Sequence, residues 1–265
     1  MTARADGVWL SITALAHREG TVVAVRHAVL ACAGALGAGA ALSVAVDHRP
    51  YEPVFATDAR SDELAELQAT LGEGPSIEAA RGDGPVLGGD LAATDARARW
   101  PEFAPLALAR GVAAIFAIPV GSGAARVGVL SLYRDQPDAL SREHLDAVLR
   151  YADAAMTLAL DDRGGLAPGA ADLIGPSFSA RRAEVHQATG MISVQLGISL
   201  TDALVTLRAR AYAEGRPLSY LAADVVSRRT SFGRDGPGLP GETATGHTGS
   251  VGQDPEDNDE EVEGE

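Results

Sequence analysis

The stretch Arg181-Arg-Ala-Glu-Val-His-Gln-Ala-Thr-Gly-Met-Ile-Ser-Val-Gln-Leu-Gly197, continued through Arg229, decides how the chain is divided. Val185, Ala188, Thr189, Ile192 and Leu196 recur at spacings of three and four, so they share one face of a helix running to about Leu196. Gly197 supplies a C′ stop. Ser199 caps a second helix, with Asp202 supporting its first-turn amides. Leu200, Ala203, Leu204, Leu207 and Ala211 form the buried face of that helix, and Gly215 ends it. Pro217 suits the first turn of a third helix, where its missing N–H costs nothing. Leu218, Leu221, Ala222, Val225 and Val226 give the third helix its stripe. Three helices of this length, joined by loops of a few residues, close a small bundle.

The polar remainder of the stretch is basic. Arg181, Arg182, Arg208, Arg210, Arg216, Arg228 and Arg229 stand against Glu184, Asp202, Glu214 and Asp224, seven cations against four anions, in a chain of net charge −14. An anionic partner is the usual reason for such an island. Arginine forks favour phosphate, although a helix C-terminus also welcomes Arg228 and Arg229 through its dipole. Gly190 sits mid-helix, where glycine costs about 1 kcal/mol against alanine. Close approach of another backbone, from a packed helix or from RNA, accounts for it. Gln187 and Gln195 lie off the apolar stripe and can donate and accept. Tyr220 either stacks on an unpaired base or rims Leu221.

The run Val185 to Gly197, then Ala203-Leu-Val-Thr-Leu-Arg-Ala-Arg-Ala211, then Leu218 to Val226, resembles the ANTAR domain, a three-helix RNA-binding output module of bacterial antitermination regulators. Thr189 stands where many members carry a lysine. The resemblance implies binding of paired stem-loops in nascent transcripts. It also implies a homodimer, because two adjacent hairpins are engaged.

At 265 residues the prior is about two domains. The chain contains no lysine, which excludes P-loop, Schiff-base and receiver-domain lysine chemistry. The single Cys32 excludes intramolecular disulfides and cysteine-cluster zinc sites. The N-terminus lacks a basic n-region and carries Asp6, so a cytoplasmic protein without a signal peptide is expected. Ala28 to Val46 is 19 residues without a charge. Its many glycines read as a soluble helix leading into a strand rather than a membrane span.

Upstream of residue 161 the pattern alternates. Asp6–Arg18 (face Leu10, Ala14, His17) and Thr21–Leu36 (face Val22, Val25, Val29, Ala33) read as helices. Ala41–Asp47 and Tyr51–Thr57 read as paired strands. Ser61–Leu71 is a helix capped by Ser61. Ser76–Asp83 is irregular, and Pro85–Leu87 is a brief strand. Trp100–Arg110 is a helix, and Ala113–Val120 with Val127–Tyr133 is a hairpin. Ser141 caps a last helix to about Leu160, whose apolar side (Leu145, Val148, Leu149, Ala152, Ala155, Met156, Ala159) is wide enough to serve a dimer contact.

This order is an α+β pattern around one antiparallel sheet. Leu67-Gln-Ala-Thr-Leu-Gly-Glu-Gly-Pro75, Arg99-Trp-Pro101 with Phe103, Gly111-Val112 and Val127-Gly-Val-Leu-Ser-Leu-Tyr133 resemble the GAF domain, a small-molecule sensory fold. The resemblance implies a GAF-like sensor over residues 8–160, receiving a small-molecule or protein signal. Its pairing with an ANTAR module is common in actinobacteria. Ser76 stands where a cysteine is often found, so no thiol sensing is expected there.

Residues 161–175 read as a linker, 176–232 as the ANTAR-like domain, and 233–265 as a disordered tail. Residues 234–265 hold ten acidic residues against one arginine. The tail either shields the basic module or simply solubilises the chain. The six histidines show no metal spacing, no nucleophile–base pair can be argued, and no cofactor or enzymatic activity is expected. The expected function is thus a signal-responsive RNA-binding antitermination regulator. The alternatives are a helix-turn-helix reader of duplex DNA, and an N-terminal domain that is an enzyme or membrane-tethered.

Overall fold

Alternation along the strands sorts the N-terminal part into two cores. The structure, a computed structural model, describes residues 2–44, 51–82, 84–122, 125–161 and 176–233. Among the described residues five strands, β1 (Gly39–Val44), β2 (Glu52–Ala56), β3 (Val86–Gly88), β4 (Ala114–Ser122) and β5 (Ala125–Arg134), form one sheet in the order β2-β1-β5-β4-β3. All neighbours are antiparallel. The helices are α1 (Thr2–Glu19), α2 (Val25–Leu36), α3 (Ala59–Leu71), α4 (Pro75–Arg81), α5 (Thr94–Arg99), α6 (Phe103–Ala109) and α7 (Arg142–Asp161). Ala40, Leu42, Phe116, Ile118, Leu130 and Leu132 face α1, α2 and α7. The intervening positions Ala41, Ile115, Ala117, Val129 and Tyr133 face α3 to α6. This is the expected α+β layout, one antiparallel sheet with helices on both sides.

Several local expectations change. On α1 the buried stripe is Val8, Ile12 and Ala16, and Leu10 is 68% exposed. Both stripes have helical spacing, and docking on α2 and α7 selects the branched one. Helix α2 begins at Val25, and Val22 is exposed. Its cap is closed by His27, whose Nδ1 accepts the Ala24 N–H at 2.9 Å. Helix α3 is capped by Asp58 rather than Ser61: the Asp58 Oδ1 accepts the Ser61 N–H at 2.9 Å and Oδ2 accepts its hydroxyl at 2.7 Å. Ser76 lies in helix α4, which Pro75 opens at its first position. The expected Trp100–Arg110 helix is two helices. Trp100, preceding Pro101, leaves the α region and caps α5. The second half of the strand expected over Ala41–Asp47 lies outside the described residues. So do residues 162–175 of the linker and 234–265 of the tail.

Ser141 caps α7, its Oγ accepting the His144 N–H at 3.1 Å. The apolar side of α7 is consumed by the first core, where Val148, Ala152, Ala155 and Met156 are buried, leaving Leu149 38% exposed. Among the described residues no single helix is long and apolar enough to cross a membrane. Helix α2 lies in the first core, with Val29 and Cys32 fully buried.

The C-terminal helices are α8 (Pro176–Leu196), α9 (Leu200–Ala213) and α10 (Leu218–Val226). The chain turns by 105° between Ala183–Leu196 and Leu200–Ala213. Gly197 and Gly215 take φ of +67° and +62°, the left-handed conformation of helix stops. Ala188, Ile192, Ala203, Leu207, Ala211, Leu221, Ala222 and Val225 close a third core with Phe232 as its plug. Leu200 departs from expectation at 62% exposed: as the first helical residue it precedes the turn that packs.

Candidate functional site

Three places gather polar chemistry. The first is inside the second core. Ser43, Gln68, Ser76 and Ser131 are fully buried and Tyr51 and Tyr133 nearly so. The Ser76 and Ser131 hydroxyls share a hydrogen bond of 2.7 Å, and the Gln68 Oε1 accepts the Ser76 N–H at 2.8 Å. The Tyr51 hydroxyl faces Ser43, Ser76 and Ser131, yet meets strict hydrogen-bond geometry with none of them. Among the described residues Ser43 Oγ, Tyr51 OH, Gln68 Nε2 and Tyr133 OH are buried and find no well-aligned hydrogen bond, although Ser43, Ser76 and Ser131 lie near the Tyr51 hydroxyl and Ser131 near that of Tyr133. Each such group costs about 1–3 kcal/mol, so their convergence suits a polar molecule or ordered water. Burial pushes both tyrosine hydroxyls up in pKa, Tyr133 strongly, so both are neutral donors. Ser76 and Glu78 do not pair: Glu78 instead binds Arg99 and accepts from the Trp100 Nε1 at 3.2 Å. Trp100 and Phe103 are core residues, as expected.

The second place is the outer surface of the bundle. Gln187 and Tyr220 are exposed, Tyr220 at 64%. A Cβ built on Gly190 meets nothing within 4 Å, so helix packing does not explain that glycine. Gln195 is exposed but turned inward at its tip, where Oε1 accepts the Phe232 N–H at 2.9 Å.

Three of the five described arginines of the basic island are engaged in ion pairs. Arg210 binds Glu214 at 2.8 Å and the Ser231 carbonyl at 3.0 Å, and lies 4.8 Å over the Phe232 ring. Arg216 joins Glu214 at 3.2 Å to Asp224 at 2.5 Å, and Arg229 binds Asp224 at 2.6 Å. Bonds from Arg216 and then Arg229 hold the Asp224 carboxyl below its usual range. Arg228 is exposed at a φ of +59° and makes no ion pair among the described residues. The side chains of Arg181 and Arg182 lie outside the described residues.

The third place is the seam where the bundle packs on the sheet domain. His186 Nε2 lies 2.7 Å from Glu52 Oε1, the Tyr212 hydroxyl donates to Glu102 Oε2 at 2.6 Å, and the Leu218 N–H donates to Thr70 Oγ1 at 3.3 Å. Arg208 is half-buried here, and its Nε has no hydrogen-bond partner among the described residues. Burial first, and Arg81 second, lower its pKa.

No protein-family model matches the sequence, and no curated protein does. Solved structures do match. The GAF domain of a phosphoenolpyruvate-protein phosphotransferase from Coxiella burnetii has a TM-score of 0.45 at 17% identity, covering 62% of this chain and 99% of that one. The GAF domain of the Acinetobacter phosphoenolpyruvate-protein phosphotransferase has a TM-score of 0.43 at 12% identity, covering 62% of this chain and 96% of that one.

Sequence reasoning missed the buried hydroxyl cluster. Its signal was present: Ser43 and Ser131 interrupt apolar strands at positions whose alternation puts them on one sheet face. The Tyr212–Glu102 contact joins residues 110 positions apart and had no sequence signal.

Proposed function

We propose that this chain is a cytoplasmic, signal-responsive regulator in which a GAF-like sensor controls an RNA-binding, ANTAR-type helical output that acts by antitermination as a homodimer. A small polar molecule, received among Ser43, Tyr51, Gln68 and Tyr133, is the signal. Stem-loops in nascent transcripts are the output ligand.

Gly190 carries the reading. It stands on α8 where a side chain would meet open space, flanked on the same outer strip by Gln187 and by Val194, which is 84% exposed. A glycine the fold does not need, on a helix whose stability it lowers, fits close approach by an external backbone.

The test separates folding from binding. Gly190→Ala in the full chain is expected to raise stability by about 1 kcal/mol. The same change is expected to weaken binding of a two-hairpin RNA at least tenfold by filter binding. Arg228→Ala is expected to weaken it several-fold. Unchanged RNA binding by Gly190→Ala sinks the assignment of this face, and equal competition by duplex DNA favours the helix-turn-helix alternative.

A further inference from the structure

Between α3 and α6 of the sheet domain and α9 of the bundle lies a cleft of about 480 Å³. This size falls within the ordinary range for small-molecule sites. Its floor is apolar, formed by Leu67, Leu71, Pro105 and Leu106, and Pro217 also lines it. Two arginines reach the cleft, and both are already neutralised: Arg110 by Glu63 at 2.6 Å, and Arg216 by Glu214 and Asp224. Glu102 is different. Its carboxylate accepts from the Tyr212 hydroxyl and pairs with no cation among the described residues. Tyr212, half exposed, brings an aromatic ring to the same rim. An uncompensated carboxylate beside an aromatic ring, over an apolar floor, is the chemistry that recognises an organic ammonium: the ring face and the carboxylate attract the cation while the floor buries its body.

We propose that this cleft is a second ligand site, distinct from the buried hydroxyl cluster, and that it takes a small organic ammonium with an apolar body. Glu102 and Tyr212 hold the charged head. The occupant touches both the sheet domain and the bundle, so its binding favours the packed arrangement of the two over any other. The site stands on the cleft's own geometry and does not depend on RNA being the output ligand.

The test uses the full-length chain and three matched probes, 4-phenylbutylamine, 4-phenylbutanol and 4-phenylbutyrate, titrated by calorimetry. The amine is expected to bind at least tenfold more tightly than the other two. Glu102→Gln is expected to lower the amine affinity about tenfold without changing the melting temperature of the free protein by more than a few degrees. Tyr212→Phe, which keeps the ring, is expected to lower it less than Tyr212→Ala. Equal affinity for the three probes, no measurable heat with any of them, or an unchanged amine affinity in Glu102→Gln overturns the proposal.

Discussion

Single residues in this chain carry separable energetic roles. Asp58 holds the first turn of α3 through the Ser61 N–H and through the Ser61 and Thr57 hydroxyls. Partial burial works against its ionised form, but those bonds outweigh it and keep the carboxyl below its usual range. A depressed pKa adds stability above the unfolded value of about 3.9 that is lost as pH falls through the lower folded value. Asp58→Ala is therefore expected to cost about 1 kcal/mol near neutral pH, with the difference from wild type shrinking on acidification below about pH 4 in urea unfolding. Cys32 is fully buried, and burial pushes its thiol up to about 12. It is expected to resist a thiol reagent at pH 8 until the chain is unfolded, and labelling at the rate of a free thiol would show that α2 opens. At this scale the sequence was a partial guide. The Ser199 cap on α9 was legible because the serine begins its own periodic run. The Asp58 cap was not, because a second capping residue, Ser61, lay three positions on.

Helices and strands were more legible than their ends. The stripes of α8, α9 and α10 could be read because apolar residues recur at helical spacing from Val185, Ala203 and Leu218 onward, and Ile192 and Leu207 are fully buried as that pattern requires. Ile192→Ala is expected to cost about 2–5 kcal/mol, with the bundle unfolding at lower denaturant than the sheet domain. Helices α4 and α5 escaped detection because six or seven residues are too few to display a period. The basic island was legible as composition, yet the ion pairs that consume Arg210, Arg216 and Arg229 depend on how the helices meet. Those pairs have a measurable consequence. If only Arg228, Arg181 and Arg182 remain for phosphate, the slope of log K against log salt for hairpin RNA is expected near −2 to −3, given about −0.9 per phosphate contact. A slope twice as steep would show that the paired arginines release their carboxylates on binding.

The whole molecule is joined along a seam at which Arg208 is half-buried against the sheet domain, its Nε without a hydrogen-bond partner among the described residues. An orphaned buried donor costs about 1–3 kcal/mol, so replacing it by a flexible apolar chain removes a penalty. Arg208→Met is expected to leave the thermal midpoint unchanged or raised. A loss above about 2 kcal/mol would show that the guanidinium is paired in solution. Weakened RNA binding in the same variant would place Arg208 in the output surface as well, so that sheet domain and RNA compete for it. Neither the seam nor the division of labour along it was legible in the sequence, since its contacts join residues more than a hundred positions apart.

The sheet's two borders bear on whether a foreign strand can be added to it. One border is β3, three residues long; the other is β2, which carries Pro53 and a register shift opposite Leu42 and Ser43. A short margin and an interrupted, proline-bearing one make poor templates for strand addition. Fibrillar growth by edge-to-edge recruitment is thereby discouraged.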